Sequence, residues 1–351
     1  MKGEQHTMPV TVIGGYLGSG KTTLVNHLLR YANGVRLAIM VNDFGDMAID
    51  AELIESQQGD VISLSGGCIC CSYGDNLSLS LQKLETQSIK PDHIVIEASG
   101  VALPGAIGRS LSLQRSFNLE GVVVVADALN VMANAQEKYI GDTITRQLHD
   151  ADLVVINKLD LLSKAEFDLL KPWIAGQCPD ASLIEAVHGA VESSLLLNIL
   201  SVHECTDSQH SLSVESSSSH AFSPHTLLQK KHDVSLYASV SINVNLAMNV
   251  NAFASRLADK RLALIRAKGF LRDKNNVLKT VQVVGRRWSV TDAPAGAQTG
   301  IVCIAKKDDL SEGKIQELLF ECTVESSTNV QGPRISHESS AHVGSARDGS
   351  I

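Results

Sequence analysis

Between Gly15 and Thr22 the chain reads Gly-Tyr-Leu-Gly-Ser-Gly-Lys-Thr, which meets the spacing G-x-x-x-x-G-K-[ST]. That pattern is a phosphate cradle when it follows a strand and opens a helix. Here a β-branched run ending at Ile13 precedes it, and Leu24, Val25, Leu28 and Leu29 follow at helical spacing. Gly15, Gly18 and Gly20 let backbone N–H groups turn toward a polyphosphate, and the helix N-terminus faces the same charge. Lys21 is expected to reach the terminal phosphates and the Thr22 hydroxyl to ligate Mg²⁺, with Ser19 and Thr23 in the same cradle. A turn needing only positive φ explains neither the lysine nor the flanking pattern.

Two further stretches address the rest of a nucleotide. Asn157-Lys158-Leu159-Asp160 follows the buried run Leu-Val-Val-Ile. A carboxylate there accepts hydrogen bonds from N1 and N2 of guanine, whereas adenine has no donors in that arrangement. The wrong base leaves buried polar groups unpaired. Read alone, the four residues are also an ordinary polar turn; together with the phosphate loop they favour GTP over ATP. In Ile-Val-Ile-Glu-Ala-Ser-Gly, Glu97 and Gly100 lie just past another strand. Glu97 is expected to hold a Mg²⁺ water near the γ-phosphate, and the Gly100 N–H to sense that phosphate. The alternative for Glu97 is a solvated strand end. Lys21, Thr22 and Glu97 are the expected catalytic set.

A different chemistry is carried by Cys68-Ile69-Cys70-Cys71. Adjacent thiols suit a relaxed disulfide poorly, and three sulfurs within four residues suit metal ligation. Thiolates favour Zn²⁺ or Cu(I) over harder cations, although Co²⁺ and Ni²⁺ can also be held. Buried inert thiols are the competing reading. Asp43, Asp46 and Asp50, in Val-Asn-Asp-Phe-Gly-Asp-Met-Ala-Ile-Asp, are candidates for a switch touching Mg²⁺ or the thiol-bound metal, or else form a solvated acidic loop.

These residues need a frame. Short apolar runs near Val12, Ile39, Ile62, Val95, Val124, Val155 and Ile184 alternate with segments able to hold helices. Strands alternating with helices predict an α/β fold with a doubly wound, mostly parallel sheet, whose ligands sit outside the carboxyl ends of the strands. All the stretches above leave such ends, so metal and nucleotide are expected on one rim. That unit is placed at 8–200. Residues 201–233, rich in serine and holding His203, His210, His220, His225 and His232, read as a linker or a weak metal-collecting tract. At 234–325 the order strand, helix, three strands, helix predicts a smaller α+β unit, with Val277 to Val290 among the strands. From Ser326 the low apolar content predicts a disordered tail.

Composition narrows the classes. With 351 residues, 44% hydrophobic, and a net charge of −8, the chain is long enough for two domains and offers no overall basic surface for nucleic acid. No apolar run approaches the roughly 18 residues of a membrane span. Seven cysteines and no apolar leader point to reduced thiols in the cytoplasm.

The stretches GGYLGSGKTTLVNHLL, VNDFGDMAIDAELI, GGCICCS, VIEASGVALPG, VVADALN, QLHDADLVVINKLDL and RAKGFL closely resemble the CobW family of P-loop GTPases, from about Pro9 to Glu321. That branch is shared with the nickel-insertion GTPases of hydrogenase and urease maturation. The resemblance implies a GTP-dependent metallochaperone that binds Zn²⁺, or Co²⁺, Ni²⁺ or Fe²⁺, at the cysteine loop and delivers it to a client metalloprotein or metal-insertion target. A GTP-regulated zinc sensor or buffer without delivery is the alternative. The resemblance also implies that His188 and Gly189 lie against the base. Many members carry glutamate where this chain has Asp43. Three thiolates leave a fourth position for water, an acid or a second subunit, so a monomer and a metal- or GTP-dependent dimer are both compatible with it.

Overall fold

The computed structural model describes residues 7–32, 35–41, 61–65, 75–86, 90–197 and 236–328. Seven strands form the first sheet: β1 Met8–Gly14, β2 Leu37–Val41, β3 Val61–Ser65, β4 His93–Glu97, β5 Phe117–Asp127, β6 Leu153–Asn157 and β7 Ser182–Glu185. Their order is β3-β2-β4-β1-β5-β6-β7, and every neighbouring pair is parallel. Each run predicted from the sequence is a strand. The apolar side chains of β1, β2, β4 and β6 are buried on both faces because helices cover both, as parallel sheets require.

Those helices are α1 Lys21–Arg30, α2 Asp75–Thr86, α3 Pro104–Ser112, α4 Val131–Ala135, α5 Gly141–His149, α6 Lys164–Gln177 and α7 Ser193–Leu196. Register decides what shares the rim. Val41 pairs with both Ser65 and Glu97, Ile13 pairs with Glu97, and Asp127 pairs with Asn157. The ends of β1 to β7 therefore open on one side.

The second sheet is antiparallel. It contains β8 Tyr237–Ile242, β10 Leu264–Asp273, β11 Leu278–Val284, β12 Arg287–Asp292 and β13 Gly300–Lys306, in the order β12-β11-β10-β13-β8, with β9 Ala247–Met248 pairing parallel to β10. Helices α8 Val250–Leu257 and α9 Glu312–Thr328 cover one face, and Phe253, Leu257, Ile315 and Leu319 join its core. The expected α+β unit is present, with two more strands than predicted, the short β9 and one gained where a single predicted run divides. The run around Val277 to Val290 is two strands, because Gly285 takes φ +56° in a two-residue turn that pairs Val284 with Arg287. A glycine at the first central position is a recognised hairpin signal. The last helix also continues to Thr328, past the Ser326 at which the sequence suggests a tail.

The other face of this sheet packs on the first unit. Ile265, Val284, Ile304 and Tyr237 share a core with Leu24, Val25 and Leu28 of α1. Across that junction Arg266 donates to Glu120 Oε2 at 2.5 Å and to the Leu195 carbonyl at 3.3 Å, and Gln282 donates to the same Oε2 at 2.6 Å. Both charged side chains are only 1% exposed. Among the described residues no helix is long and apolar enough to cross a membrane.

Candidate functional site

The phosphate loop joins β1 to α1, and two of its glycines sit where the surroundings leave no room for a side chain. A Cβ on Gly15, at φ +132°, would come within 2.2 Å of the Val125 carbonyl oxygen, and one on Gly20, at φ +103°, within 2.3 Å of Asn157 Nδ2. Gly18 sits at φ +73° facing open space. Gly20 caps α1 in the left-handed region without any side-chain acceptor. No side chain caps the first helical turn, and this helix is long enough for its dipole to favour an anion there.

The side chains fit the same ligand. Lys21 is buried at the loop, with Nζ 3.4 Å from the Tyr16 carbonyl. Ser19 Oγ is buried with no hydrogen-bond partner among the described residues, which is costly unless a ligand or water completes it. The Thr22 hydroxyl donates to Glu97 Oε1 at 2.9 Å, and Glu97 is 2% exposed at the end of β4. A hydroxyl beside a buried carboxylate is the oxygen-only donor set that suits Mg²⁺. Thr23 is exposed on α1.

On the base side, Asn157 braces rather than merely borders the pocket. Its Nδ2 donates to the Ser19 carbonyl and its Oδ1 accepts from Gly189 N–H, both at 2.9 Å. One side chain therefore ties the phosphate loop to the loop after β7. Lys158 takes φ +66° and pairs through Nζ with Asp127 Oδ2 at 2.8 Å. Burial pushes the Asp127 carboxyl up, but the donors Lys158, Asn130 and Leu129 N–H outweigh it and hold the group below its usual range. Asp160 is exposed in a short 3₁₀ turn, Leu159–Leu161, and its carboxylate has no partner among the described residues. The turn is fixed on both sides: Leu159 N–H donates to the Ala186 carbonyl at 3.3 Å, and a Ser163–Glu166 capping box starts α6 immediately after it. His188 is exposed at φ +52°, next to Gly189.

The structure thus brings Gly15, Gly18, Ser19, Gly20, Lys21, Thr22, Glu97, Asn157, Lys158, Asp160 and His188 to one rim. Gly100 follows β4 on the same rim, against Leu17 of the phosphate loop. Asp127 and Gln147 were not among the sequence candidates. The position of Asp127 at a strand end could have identified it; Gln147 lies inside a helix and carries no sequence signal. Cys68, Cys70, Cys71, Asp43, Asp46 and Asp50 lie outside the described residues, as does the linker at 201–233. Among the described residues no three potential metal ligands come together.

A zinc chaperone CobW from Sinorhizobium sp is 28% identical over 321 residues, covering 82% of this chain and 88% of that protein. The zinc chaperone YjiA of Escherichia coli K12 is 33% identical over 198 residues, covering 54% of this chain and 60% of that protein. Among solved structures, that of Zn(II)-bound YjiA GTPase from E. coli aligns with 90% of this chain and 99% of its own, at 23% identity and a TM-score of 0.42. Residues 9–185 match the family described as CobW/HypB/UreG, nucleotide-binding domain. That match spans half of the sequence, and the chain belongs to this family.

Proposed function

We propose that this protein is a GTP-hydrolysing metallochaperone that binds Zn²⁺, or alternatively Co²⁺, Ni²⁺ or Fe²⁺, at Cys68, Cys70 and Cys71 and passes it to a client metalloprotein or metal-insertion target. The observation that carries the nucleotide half is the Thr22–Glu97 contact at 2.9 Å beside an uncapped helix N-terminus. The phosphates of GTP lie on the backbone amides of Gly15, Gly18, Ser19 and Gly20 and on Thr23, with Lys21 balancing their charge. Thr22 and Glu97 hold Mg²⁺, directly or through water. When bound, that ion neutralises charge gathering on the transferred phosphoryl group. Asp160 accepts from the guanine edge, Asn157 and Lys158 brace the pocket, and His188 covers the base. Positioning and electrostatics are the whole of the protein's contribution to such a reaction.

The metal half is supported by chain geometry and by the relatives. Ser65 ends β3 two strands from Glu97, and neighbouring strands are about 4.8 Å apart. Cys68 follows three residues later, a reach of at most about 11 Å, so its backbone can lie no more than about 20 Å from that of Glu97. The relatives from Sinorhizobium sp and E. coli both carry the name zinc chaperone. Asp43 and Asp46, two and five residues past β2, are proposed to link the two ions. The working division is a GTPase unit at 8–200, a linker at 201–233, a second unit at 234–325 and a tail beyond, acting in the cytoplasm as a monomer or a metal- or GTP-dependent dimer.

A single-turnover assay with GTP and Mg²⁺ tests the reading. Intrinsic hydrolysis is expected to be slow and to quicken when Zn²⁺ and an apo client are present. Stimulation by Zn²⁺ with no further effect of any apo metalloprotein favours a sensor or buffer. A fast, metal-indifferent rate contradicts the coupling.

A further inference from the structure

Gln147 lies on α5 and is 1% exposed, yet an unbonded amide at such depth is costly. Its Nε2 donates to the Gly100 carbonyl at 3.1 Å and to the Ala102 carbonyl at 2.8 Å. Both partners are acceptors, so the amide must present its nitrogen to them, and both of its hydrogens are used. The loop it holds is the one leaving Glu97.

Three other contacts fix that loop. Ala98 N–H donates to the Ile13 carbonyl at 2.8 Å, and Ala102 N–H to the Ser99 carbonyl at 2.9 Å. Gly100 is pressed on the phosphate loop so closely that a Cβ would come within 2.9 Å of the Leu17 backbone nitrogen. In a planar trans peptide the carbonyl and the following N–H point in opposite directions. Drawing the Gly100 carbonyl inward to Gln147 therefore sends the Val101 N–H outward, at a residue that is 43% exposed. Neither the Gly100 nor the Val101 N–H has a hydrogen-bond partner among the described residues. The Val101 N–H, turned away from Gln147, and the unpaired Gly100 N–H beside it adjoin the phosphate loop and suit an anion present in one nucleotide state and absent in the other.

We propose that Gln147 is a positioning residue that sets the Gly100 and Val101 amides for the γ-phosphate, and through them the preference for GTP over GDP. This rests on the GTPase reading and adds a residue that the motifs do not contain. Gln147 touches no substrate. It acts through two carbonyls, and only the triphosphate state should register its loss.

The test uses full-length protein with Gln147→Glu, which keeps the shape but removes both donors, and Gln147→Met, which removes polarity. Fluorescent-nucleotide titrations with Mg²⁺ give the dissociation constants for GTP and GDP, and single-turnover assays give the hydrolysis rate. We expect the affinity for GDP to stay within about twofold, while the GTP-over-GDP preference and the hydrolysis rate each fall about tenfold, equivalent to 1.4 kcal/mol. Equal weakening of both nucleotides, or an intact preference in a folded variant, overturns the proposal. If neither variant folds, hydrogen exchange on the unmodified protein decides. The Gly100 and Val101 amides must be slowed by a non-hydrolysable GTP analogue more than by GDP, and equal protection overturns the proposal. Unmodified protein that binds no guanine nucleotide sinks the GTPase reading itself, whereas loss of the Gln147 effect alone sinks only this inference.

Discussion

Replacing Arg266 with methionine isolates the polar bond between the two units. In the native chain Arg266 neutralises Glu120 at 2.5 Å, with both side chains 1% exposed. Methionine keeps much of the volume but strands the carboxylate. Glu120 would retain Asn118 Nδ2 on Oε1 at 3.1 Å and Gln282 Nε2 on Oε2 at 2.6 Å, so its burial would be partly compensated. Breaking one partner of a buried pair costs about 3–5 kcal/mol. The Leu195 carbonyl loses a donor as well, at about 1 kcal/mol. The expected loss is therefore about 4–6 kcal/mol, against a total stability of about 5–15 kcal/mol for a native protein. Urea unfolding followed by Trp173, in the first unit, and Trp288, in the second, measures it on both sides of the junction. Adding Glu120→Gln removes the stranded charge and should restore about 2 kcal/mol. An Arg266→Met cost below about 1 kcal/mol, or no recovery in the double variant, refutes the reasoning.

Three further outcomes are expected. Asp160→Asn swaps an acceptor for a mixed donor and acceptor; GTP affinity should fall by about 2–3 kcal/mol while xanthosine triphosphate gains, and competition titrations with both nucleotides check this. Burial pushes the Lys268 ammonium down to about 8, with Arg266 adding to the shift and Glu120 opposing it. The unfolded chain then binds the extra proton between about pH 8 and the usual lysine value. Stability should therefore rise with pH across that window, by on the order of 2 kcal/mol after discounting for partial exposure, and Lys268→Met should abolish the rise; parallel pH–stability curves for the two proteins would contradict this. Cys178, Cys303 and Cys322 are buried, and burial pushes the first two thiols up to about 11 and about 12. At pH 8 a thiol reagent should modify at most four of the seven cysteines in the folded protein and all seven in urea.

Much of the site was legible because its chemistry is local. A lysine after a glycine-rich turn, a carboxylate at a strand end and a polar tetrapeptide after an apolar run each carry their own reason. The parallel sheet was legible for a similar reason, since strands covered on both faces read as continuous apolar runs. What escaped was non-local. Gln147 earns its role from carbonyls more than 40 residues away, and Asp127 from a lysine 31 residues away. The Arg266–Glu120 pair joins residues 146 apart. The hairpin at Gly285 was missed because its two strands form one unbroken β-prone run, so only the glycine marked the turn. The sequence places Asn157 at the base pocket but gives no sign of its two bonds to Ser19 and Gly189, which brace one loop against another.

The central claim is that guanine nucleotide and thiol-bound metal feel one another across one rim. Titrating Zn²⁺ into protein loaded with GDP, and again with a non-hydrolysable GTP analogue, measures that directly. Linkage requires the two zinc constants to differ, by about 1–3 kcal/mol in typical coupled systems, with the same factor separating the GTP-analogue and GDP affinities measured with and without Zn²⁺. Serine at Cys68, Cys70 and Cys71 should remove both the zinc site and the difference. Identical zinc constants in the two nucleotide states, or zinc binding that survives the triple serine variant, would contradict the account.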